Sequence, residues 1–213
     1  MNNNKTPLVS VIIPTFNRAK LVPRAIKSIL DQSYANFECI VVDDASTDDT
    51  KKVVNSIKDE RIIYLRHQEN RHASAARNTG IKNARGEFIA FLDDDDEWLS
   101  TKLEKQVSLI LQLPLKVGMI YCWMNYYENE KLTLQHHPTI KGSVFPLVLD
   151  QQRLGGCPSL LIRKQVFEYV DGFDEFIRRG NDGDLIRRIC MKYEVDFVPE
   201  VLVKVNVQNG YSS

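Results

Sequence analysis

Short apolar runs and helical stripes alternate along the first half of the chain. Apolar, largely β-branched runs of strand length occupy residues 8–13, 37–42, 61–65 and 87–92. Apolar or small residues at helical spacing follow the first three runs, and they predict helices over residues 19–32, 46–57 and 73–84. Such alternation is typical of a mainly parallel central sheet with helices on both faces. The pattern therefore predicts an α/β fold.

The second half of the chain has a less regular pattern. Three elements are predicted there, namely a helix over residues 99–111, a strand over 117–123 and a short helix over 164–170. Asp182 and Asp184 then open an amphipathic helix, whose buried side consists of Leu185, Ile186 and Ile189. Acidic residues stabilise a helix start, so capping alone explains both aspartates. The functional alternative is that one of them acts as a base at the mouth of a site.

Two adjacent histidines, His136 and His137, lie in a polar segment over residues 125–139. Imidazole is a common metal ligand, so the pair is a candidate for that role. The following Pro138 and the polar neighbourhood favour an exposed loop instead. We therefore predict a loop here and no ligand.

Polar residues follow three of the four predicted strands at their carboxyl ends. They are the loop over residues 14–18, the pair Asp43-Asp44, and the run from Asp93 to Asp96. Open parallel sheets bind their ligands beyond the carboxyl ends of the strands. The three segments should therefore meet at one edge of the sheet and line one site.

The acidic run suits a divalent cation. In an extended chain, residues two apart point to the same side, so Asp93 and Asp95 would face one target while Asp94 and Asp96 face away. Hard cations take few protein carboxylates and leave positions for substrate phosphates. The alternative is a solvated acidic turn in which Asp96 caps a helix that starts near Trp98. Convergence of three polar strand ends favours a metal-dependent nucleotide site.

Composition excludes several classes of function. Lys and Arg number 28, as do Asp and Glu, so the net charge is zero and no nucleic-acid partner is expected. The cysteines are widely spaced, which indicates reduced thiols and a cytoplasmic protein: Cys39, Cys122, Cys157 and Cys190. No apolar run approaches the roughly 20 residues that span a bilayer, so any membrane contact should be peripheral. The turn at residues 14–18 has no glycine, which argues against a dinucleotide fold or a P-loop.

Five segments, in order, resemble the family-2 glycosyltransferases, whose fold is called GT-A. They are VSVIIPTFNR at 9–18, VVDDASTD at 41–48, AARNTGI at 75–81, FLDDDD at 91–96 and GFDE at 172–175. Each is weak alone, but together the likeness runs from about residue 8 to about residue 202. The resemblance implies one GT-A catalytic domain over residues 1–213. In it, residues 8–98 would bind a nucleotide sugar, and residues 99–213 would bind the acceptor and carry the catalytic base.

The resemblance also implies the residues of the donor site. Asp44 matches the aspartate that hydrogen-bonds the base, commonly uracil, and Pro14, Thr15 and Asn17 match the lining of that pocket. Arg77 lies in the family's Ala-Arg-Asn element near the diphosphate.

The metal and the base are implied in the same way. Asp93 and Asp95 match the outer aspartates of the family's Asp-x-Asp motif. Asp95 would then contact Mn²⁺ or Mg²⁺, Asp93 would contact the sugar, the metal or its water, and the intervening Asp94 belongs to the same donor site. Asp182 matches the aspartate that acts as general base, with Asp184 in reserve.

Three positions depart from the family pattern. Asn181 stands in place of a glutamate, His72 in place of a glycine, and Gln208 where many relatives carry a metal-binding histidine. The chain ends soon afterwards, so we expect it to lack the C-terminal lid or membrane-associating helix of longer relatives.

The implied activity is inverting, metal-dependent transfer of a sugar, in surface polysaccharide assembly. The donor would be a nucleoside diphosphate sugar, expected to be UDP-linked, and the acceptor a glycan or lipid-linked sugar at the inner face of the cell membrane. Two alternatives remain open: a nucleotidyltransferase, and a degenerate sugar-nucleotide-binding module without turnover.

Overall fold

In the computed structural model, which describes residues 6–149 and 154–207, the first half follows the predicted order of strands and helices. Its elements are β1 Val9–Thr15, α1 Val22–Leu30, β2 Phe37–Asp43, α2 Thr50–Ser56, β3 Ile62–Arg66, α3 His72–Asn83 and β4 Phe88–Phe91. Helix α1 begins three residues later than its apolar stripe predicts. Pro23 explains this start, because proline lacks an N–H and is accommodated only in the first turn.

The first four strands form a parallel sheet. Strand β1 pairs with β2 on one side and β4 on the other, and β3 pairs with β2, all in parallel. Their carboxyl ends therefore lie at one edge of the sheet. The prediction of a parallel sheet is confirmed for this half of the chain.

The second half extends the same sheet with mostly antiparallel pairs. Its elements are β5 Glu97–Trp98, α4 Lys102–Gln112, β6 Val117–Glu128, β7 Lys131–His136, α5 Phe145–Val148, β8 Leu161–Arg163, α6 Phe167–Val170, α7 Asn181–Cys190 and β9 Glu194–Asn206. Within the described residues the strand order is β3-β2-β1-β4-β8-β6-β9-β5, with β7 beside β6. Only the β6–β9 pair in this half is parallel. Because β8 runs against both β4 and β6, the carboxyl end of β6 lies at the same edge as that of β4.

The predicted loop over residues 125–139 is wrong, because most of this segment is a hairpin. Strand β6 continues to Glu128 and returns as β7 through Asn129 and Glu130. Both turn residues have positive φ, 49° and 61°, as a type I′ turn requires. The usual second residue of this turn is glycine and not glutamate, so the sequence does not show the common hairpin signal here. The ring of His137 is half-buried and stacks on Trp123 with 4.7 Å between centroids.

Strand β9 was not predicted. Pro199 interrupts its apolar run, and proline argues against a paired strand. The β6–β9 register shifts between Cys122 and Trp123, so an irregularity in the pairing accommodates the proline. The amphipathic helix after Asp182 is confirmed as α7, whose apolar residues Leu185, Ile186 and Ile189 are fully buried.

Alternate side chains of β1 pack into two hydrophobic layers. Val11 shares one layer with Ile26 and Ile29 of α1, and burial of each such side chain contributes about 1.5–3 kcal/mol. Ile12 faces the other layer, which includes α3. A Cβ at Gly80 would lie 2.4 Å from Ile12 Cγ2, so the missing side chain lets α3 lie directly on β1. This close packing fixes α3 beside the carboxyl ends of the strands.

Candidate active site

A cleft of about 550 Å³ lies at the carboxyl edge of the sheet. Its walls come from β1, α3, β6, β9 and the segments after β2 and β4, and its polar and aromatic lining includes Thr15, Phe16, Arg18, Asp44, Asn70, His72, Arg77, Asp93, Asp94, Asp95, Asp96, Tyr126 and Asn206. The shared cleft matches the sequence expectation, since Asp44 and Asp95 open onto the same space. Pro14 also lines it.

The acidic loop, residues 93–96, is a turn and not an extended segment. The Asp96 amide donates to the Asp93 carbonyl at 3.1 Å. The predicted separation into two faces is therefore wrong, and all four carboxylates line the cleft. Asp94 and Asp96 are buried, while Asp93 and Asp95 are half-buried. Asp96 caps no helix, because its Oδ1 accepts from the Asn206 amide at 2.9 Å and α4 begins only at Lys102.

Burial makes ionisation of the acidic loop unfavourable. It raises the pKa of Asp94 to about 7, an effect that Asp95 strengthens and that the Thr15 hydroxyl and Arg18 partly offset. Burial and the negative charge of Asp93 also raise the pKa values of Asp95 and Asp96. A bound cation would relieve this repulsion. Across the described parts of the chain, however, no three His, Cys, Asp or Glu side chains form a ready metal site.

Arg77 connects the two halves of the molecule. Its side chain is 7% exposed, and Nη2 donates to Asp93 Oδ1 at 2.7 Å. Nη1 donates to Asn181 Oδ1 at 3.2 Å and lies 3.5 Å from Asp182 Oδ1. Burial alone would lower the pKa of Arg77, but the carboxylates of Asp93 and Asp182 outweigh burial and raise it. The guanidinium therefore stays charged and holds Asp182 near Asp93, although Asp182 itself is not among the residues that line the cleft.

The two aspartates of α7 have different surroundings. Asp182 Oδ2 accepts from the Cys157 amide at 2.9 Å, and Gly156 leaves room for this contact, since a Cβ there would lie 3.3 Å from Oδ2. Asp184 instead pairs with Arg188 one turn later, at 2.6 Å. Of the two, only Asp182 contacts Arg77.

Asn181 fills the family's glutamate position with a neutral side chain. Its Oδ1 accepts from Arg77, and its Nδ2 donates to Ser74 Oγ at 3.1 Å. Arg77 therefore faces two carboxylates here, where a glutamate would make a third. Gln208 lies outside the described residues.

Asp44 holds the segment that leads into α3. Its carboxylate accepts from the Arg71 amide at 2.9 and 3.1 Å, the His72 amide at 2.6 Å and His67 Nδ1 at 2.7 Å. His72 replaces the family's glycine at a positive φ of 69°, and its side chain lines the cleft. Asp44 therefore shapes the wall of the cleft as well as facing it.

Asn17 lies beside the cleft and not among its lining residues. Its Oδ1 accepts from the Thr47 amide at 2.7 Å and the Asp48 amide at 3.3 Å, while its own amide donates to Ser46 Oγ. The side chain thus binds the turn after β2 and supports the neighbouring Asp44.

Four lining residues at the ends of β6 and β9 were not predicted from the sequence. Tyr126 comes from the end of β6, Val205 and Asn206 come from the end of β9, and Val207 follows β9. Neither strand end was predicted, so no sequence signal placed these side chains at the site.

Comparisons with known proteins agree with this architecture. An uncharacterized glycosyltransferase of Rickettsia conorii is 35% identical over 206 residues, covering 95% of this chain and 33% of the relative. The Escherichia coli protein WfgD, named a UDP-Glc:alpha-D-GlcNAc-diphosphoundecaprenol beta-1,3-glucosyltransferase, is 46% identical over 105 residues, 49% of this chain and 42% of WfgD. The aligned region thus covers less than half the length of either relative.

Solved structures share the fold. Staphylococcus aureus TarS 1–349 with UDP-GlcNAc superposes with a TM-score of 0.81 at 22% identity, over 95% of this chain and 59% of TarS. The Pyrobaculum calidifontis mannosyltransferase PcManGT, with GDP-Man and Mn²⁺, superposes with a TM-score of 0.72 at 22% identity, over 96% of this chain and 58% of PcManGT. These likenesses show the GT-A fold. The model of the family described as "Glycosyl transferase family 2" matches residues 10–169, and the chain belongs to that family.

Proposed function

We propose that this protein is an inverting, metal-dependent glycosyltransferase that moves a sugar from a UDP-linked donor to a glycan or lipid-linked acceptor in surface polysaccharide assembly. The observation that carries the proposal is Arg77, whose buried guanidinium contacts Asp93 and lies 3.5 Å from Asp182. The charged side chain of Arg77 thereby joins the acidic loop to Asp182, the proposed base.

The donor is proposed to lie along the cleft from Asp44 to the acidic loop. Pro14, Thr15 and Asp44 line its nucleoside end, with Asn17 supporting the wall from outside. WfgD is named for a UDP-glucose donor, and TarS was solved with UDP-GlcNAc, which supports a UDP-linked sugar here. WfgD is also named for a lipid-linked acceptor, which supports a reaction at a membrane surface; we propose the inner face of the cell membrane. Among the described residues no helix is long and apolar enough to cross a bilayer.

The acidic loop fits a divalent cation by the chemistry of its donors. Carboxylate oxygens are what Mg²⁺ and Mn²⁺ prefer. Asp93 and Asp95 are the two half-buried residues of the loop, so their carboxylates are more accessible than those of the buried Asp94 and Asp96. Donor phosphates and water would complete the ligand set. PcManGT was solved with Mn²⁺, which supports a metal in this fold. When bound, such an ion supplies Lewis-acid neutralisation of the leaving diphosphate.

The chain's own residues would then perform the displacement. Arg77 places a fixed positive charge beside the diphosphate, and the neutral Asn181 leaves that charge less neutralised than a glutamate would. Asp182 Oδ2 is held by the Cys157 amide, so Oδ1 is the oxygen proposed to take the acceptor's proton. Inversion requires one base and no covalent nucleophile.

Titration calorimetry with UDP, with and without Mn²⁺, tests the donor and metal assignments. Asp95→Asn should lose about tenfold or more of the Mn²⁺-dependent affinity, since it removes a charged ligand. Asp182→Asn should bind UDP like the wild type. The matched control is Asp184→Asn, because Asp184 sits on the same helix but pairs with Arg188.

Turnover tests the base. With UDP-glucose and α-D-GlcNAc-diphosphoundecaprenol, the wild type and Asp184→Asn should release UDP, while Asp182→Asn should not. Full turnover by Asp182→Asn would remove it as the base. Release of pyrophosphate from a nucleoside triphosphate would instead identify a nucleotidyltransferase. UDP binding without transfer to any glycan or lipid-linked sugar would identify a degenerate binding module.

A further inference from the structure

Apolar and aromatic side chains line the cleft where β6 and β9 end. We call Tyr126, Val205 and Val207 the apolar corner; all three line the cleft, and Tyr126 pairs with Val205 across the β6–β9 ladder. The Val207 amide donates to the Tyr127 carbonyl at 2.8 Å, so the pairing continues to the rim, where Val207 is 44% exposed. The charged residues of the cleft, which include Asp44, Arg77 and the acidic loop, lie outside this corner, so the corner suits a different part of a substrate.

The phenol of Tyr126 lies within the electrostatic reach of both the acidic loop and the candidate base. Burial is the main cause that raises the pKa of its phenol, and the negative charges of Asp96 and Asp182 raise it further. The hydroxyl therefore stays protonated and remains a hydrogen-bond donor near neutral pH. In the described part of the chain it has no hydrogen-bond partner, and the ring is half-buried.

An apolar surface leads outward from Tyr126. Leu134 of the edge strand β7 is its cross-strand partner, so both side chains share one face of the hairpin, and Leu134 is 55% exposed. The donor is confined between Asp44 and the acidic loop, whereas an acceptor must extend from the base to the solvent or the membrane. The outward surface therefore fits the acceptor better than the donor.

We propose that Tyr126 is a positioning residue for the acceptor sugar, which binds in the apolar corner with a hydroxyl directed at Asp182. The ring would pack against the apolar C–H face of the pyranose, and the phenol would donate to one of its hydroxyls. This assignment rests on the proposed transfer reaction and names where its acceptor binds. Nothing in the sequence distinguished Tyr126 from its neighbours.

The next residue in β6 provides a matched control. Tyr127 points to the opposite side of the strand, does not line the cleft, and packs against Lys204, with Nζ 5.3 Å from the ring centroid. Truncation at either position removes the same side chain from the same strand. Only truncation of Tyr126 should affect acceptor binding.

Steady-state kinetics with UDP-glucose and α-D-GlcNAc-diphosphoundecaprenol provide the first test. Tyr126→Ala should raise the acceptor KM by about tenfold, because it removes both the ring contact and the hydrogen bond. Tyr126→Phe should raise it only a few fold, and Tyr127→Ala should leave it unchanged. The affinity for UDP should stay within about twofold in all three variants. An unchanged acceptor KM in Tyr126→Ala, or a parallel loss of UDP affinity, would overturn the assignment.

A binding measurement makes the result independent of turnover. Saturation of the aromatic protons in the UDP- and Mn²⁺-loaded protein should transfer magnetisation to the C–H protons of N-acetylglucosamine at millimolar concentration. Transfer should vanish in Tyr126→Ala and persist in Tyr127→Ala. Its absence from the wild type would refute the acceptor subsite. UDP binding in that same sample would show that the donor site is intact. Failure of the acceptor subsite can therefore be distinguished from failure of the proposed transfer function.

Discussion

Replacement of Arg77 by glutamine should destabilise the protein strongly. The change removes a guanidinium that is 7% exposed and leaves Asp93 and Asp182 without it, although these are 33% and 20% exposed. Breaking a fully buried ion pair costs about 3–5 kcal/mol, and the partial exposure of both carboxylates lowers our expectation to about 3 kcal/mol. For a chain of this size, such a loss lowers Tm by about 6–12 °C.

Urea unfolding is the assay. The stability deficit should appear as a lower midpoint urea concentration, because Asp93 and Asp182 lose the positive charge that compensates them. The double variant Arg77→Gln/Asp93→Asn should recover part of the loss, which a double-mutant cycle would report as a coupling of about 1–3 kcal/mol. A deficit below about 1 kcal/mol, with no coupling to Asp93, would refute the bridging role of Arg77.

Two further predictions concern the scaffold that positions the site. Lys102 is fully buried, which lowers its pKa to about 8 from 10.5, so folding is opposed below pH 8 and stability should rise between pH 8 and 10.5. Lys102→Met removes this buried charge but also loses the contacts of Lys102 with Gln106 and Trp98. The net effect should be a stabilisation of about 1–2 kcal/mol at pH 7. Denaturant titrations should show the gain in stability at pH 7 and its loss at pH 10. A variant that is destabilised equally at both pH values would contradict this prediction. Gly80→Ala places a Cβ 2.4 Å from Ile12 Cγ2 and should cost about 1–3 kcal/mol by thermal unfolding. An unchanged Tm would show that α3 shifts freely and would contradict the prediction. Ala75→Gly, which changes helix propensity in α3 without adding atoms, is the comparison.

Local chemistry allowed the sequence to determine the parallel half of the fold. Apolar runs such as residues 8–13 are long enough for strands and too short for buried helices, and the polar residues at their ends identify the binding edge. The same local signals identified α7 and the acidic loop. Strand ends of a parallel sheet meet at one edge by geometry, so the shared cleft of Asp44 and Asp95 could be predicted as well.

Only the tertiary structure decided how the site is assembled. The backbone bond from Asp96 to Asp93 turns the acidic loop and brings four carboxylates to one cleft, which an extended segment would have divided. Arg77 contacts Asn181, 104 positions away, and it reaches Asp182 because α3 and α7 pack in the same hydrophobic layer. Tyr126 lines the cleft because β6 pairs with β7 and β9. The hairpin turn before β7 lacks the usual glycine and β9 contains a proline, so neither pairing could be predicted from the sequence. Contacts of this kind depend on packing between distant segments, and no periodicity within one segment encodes them.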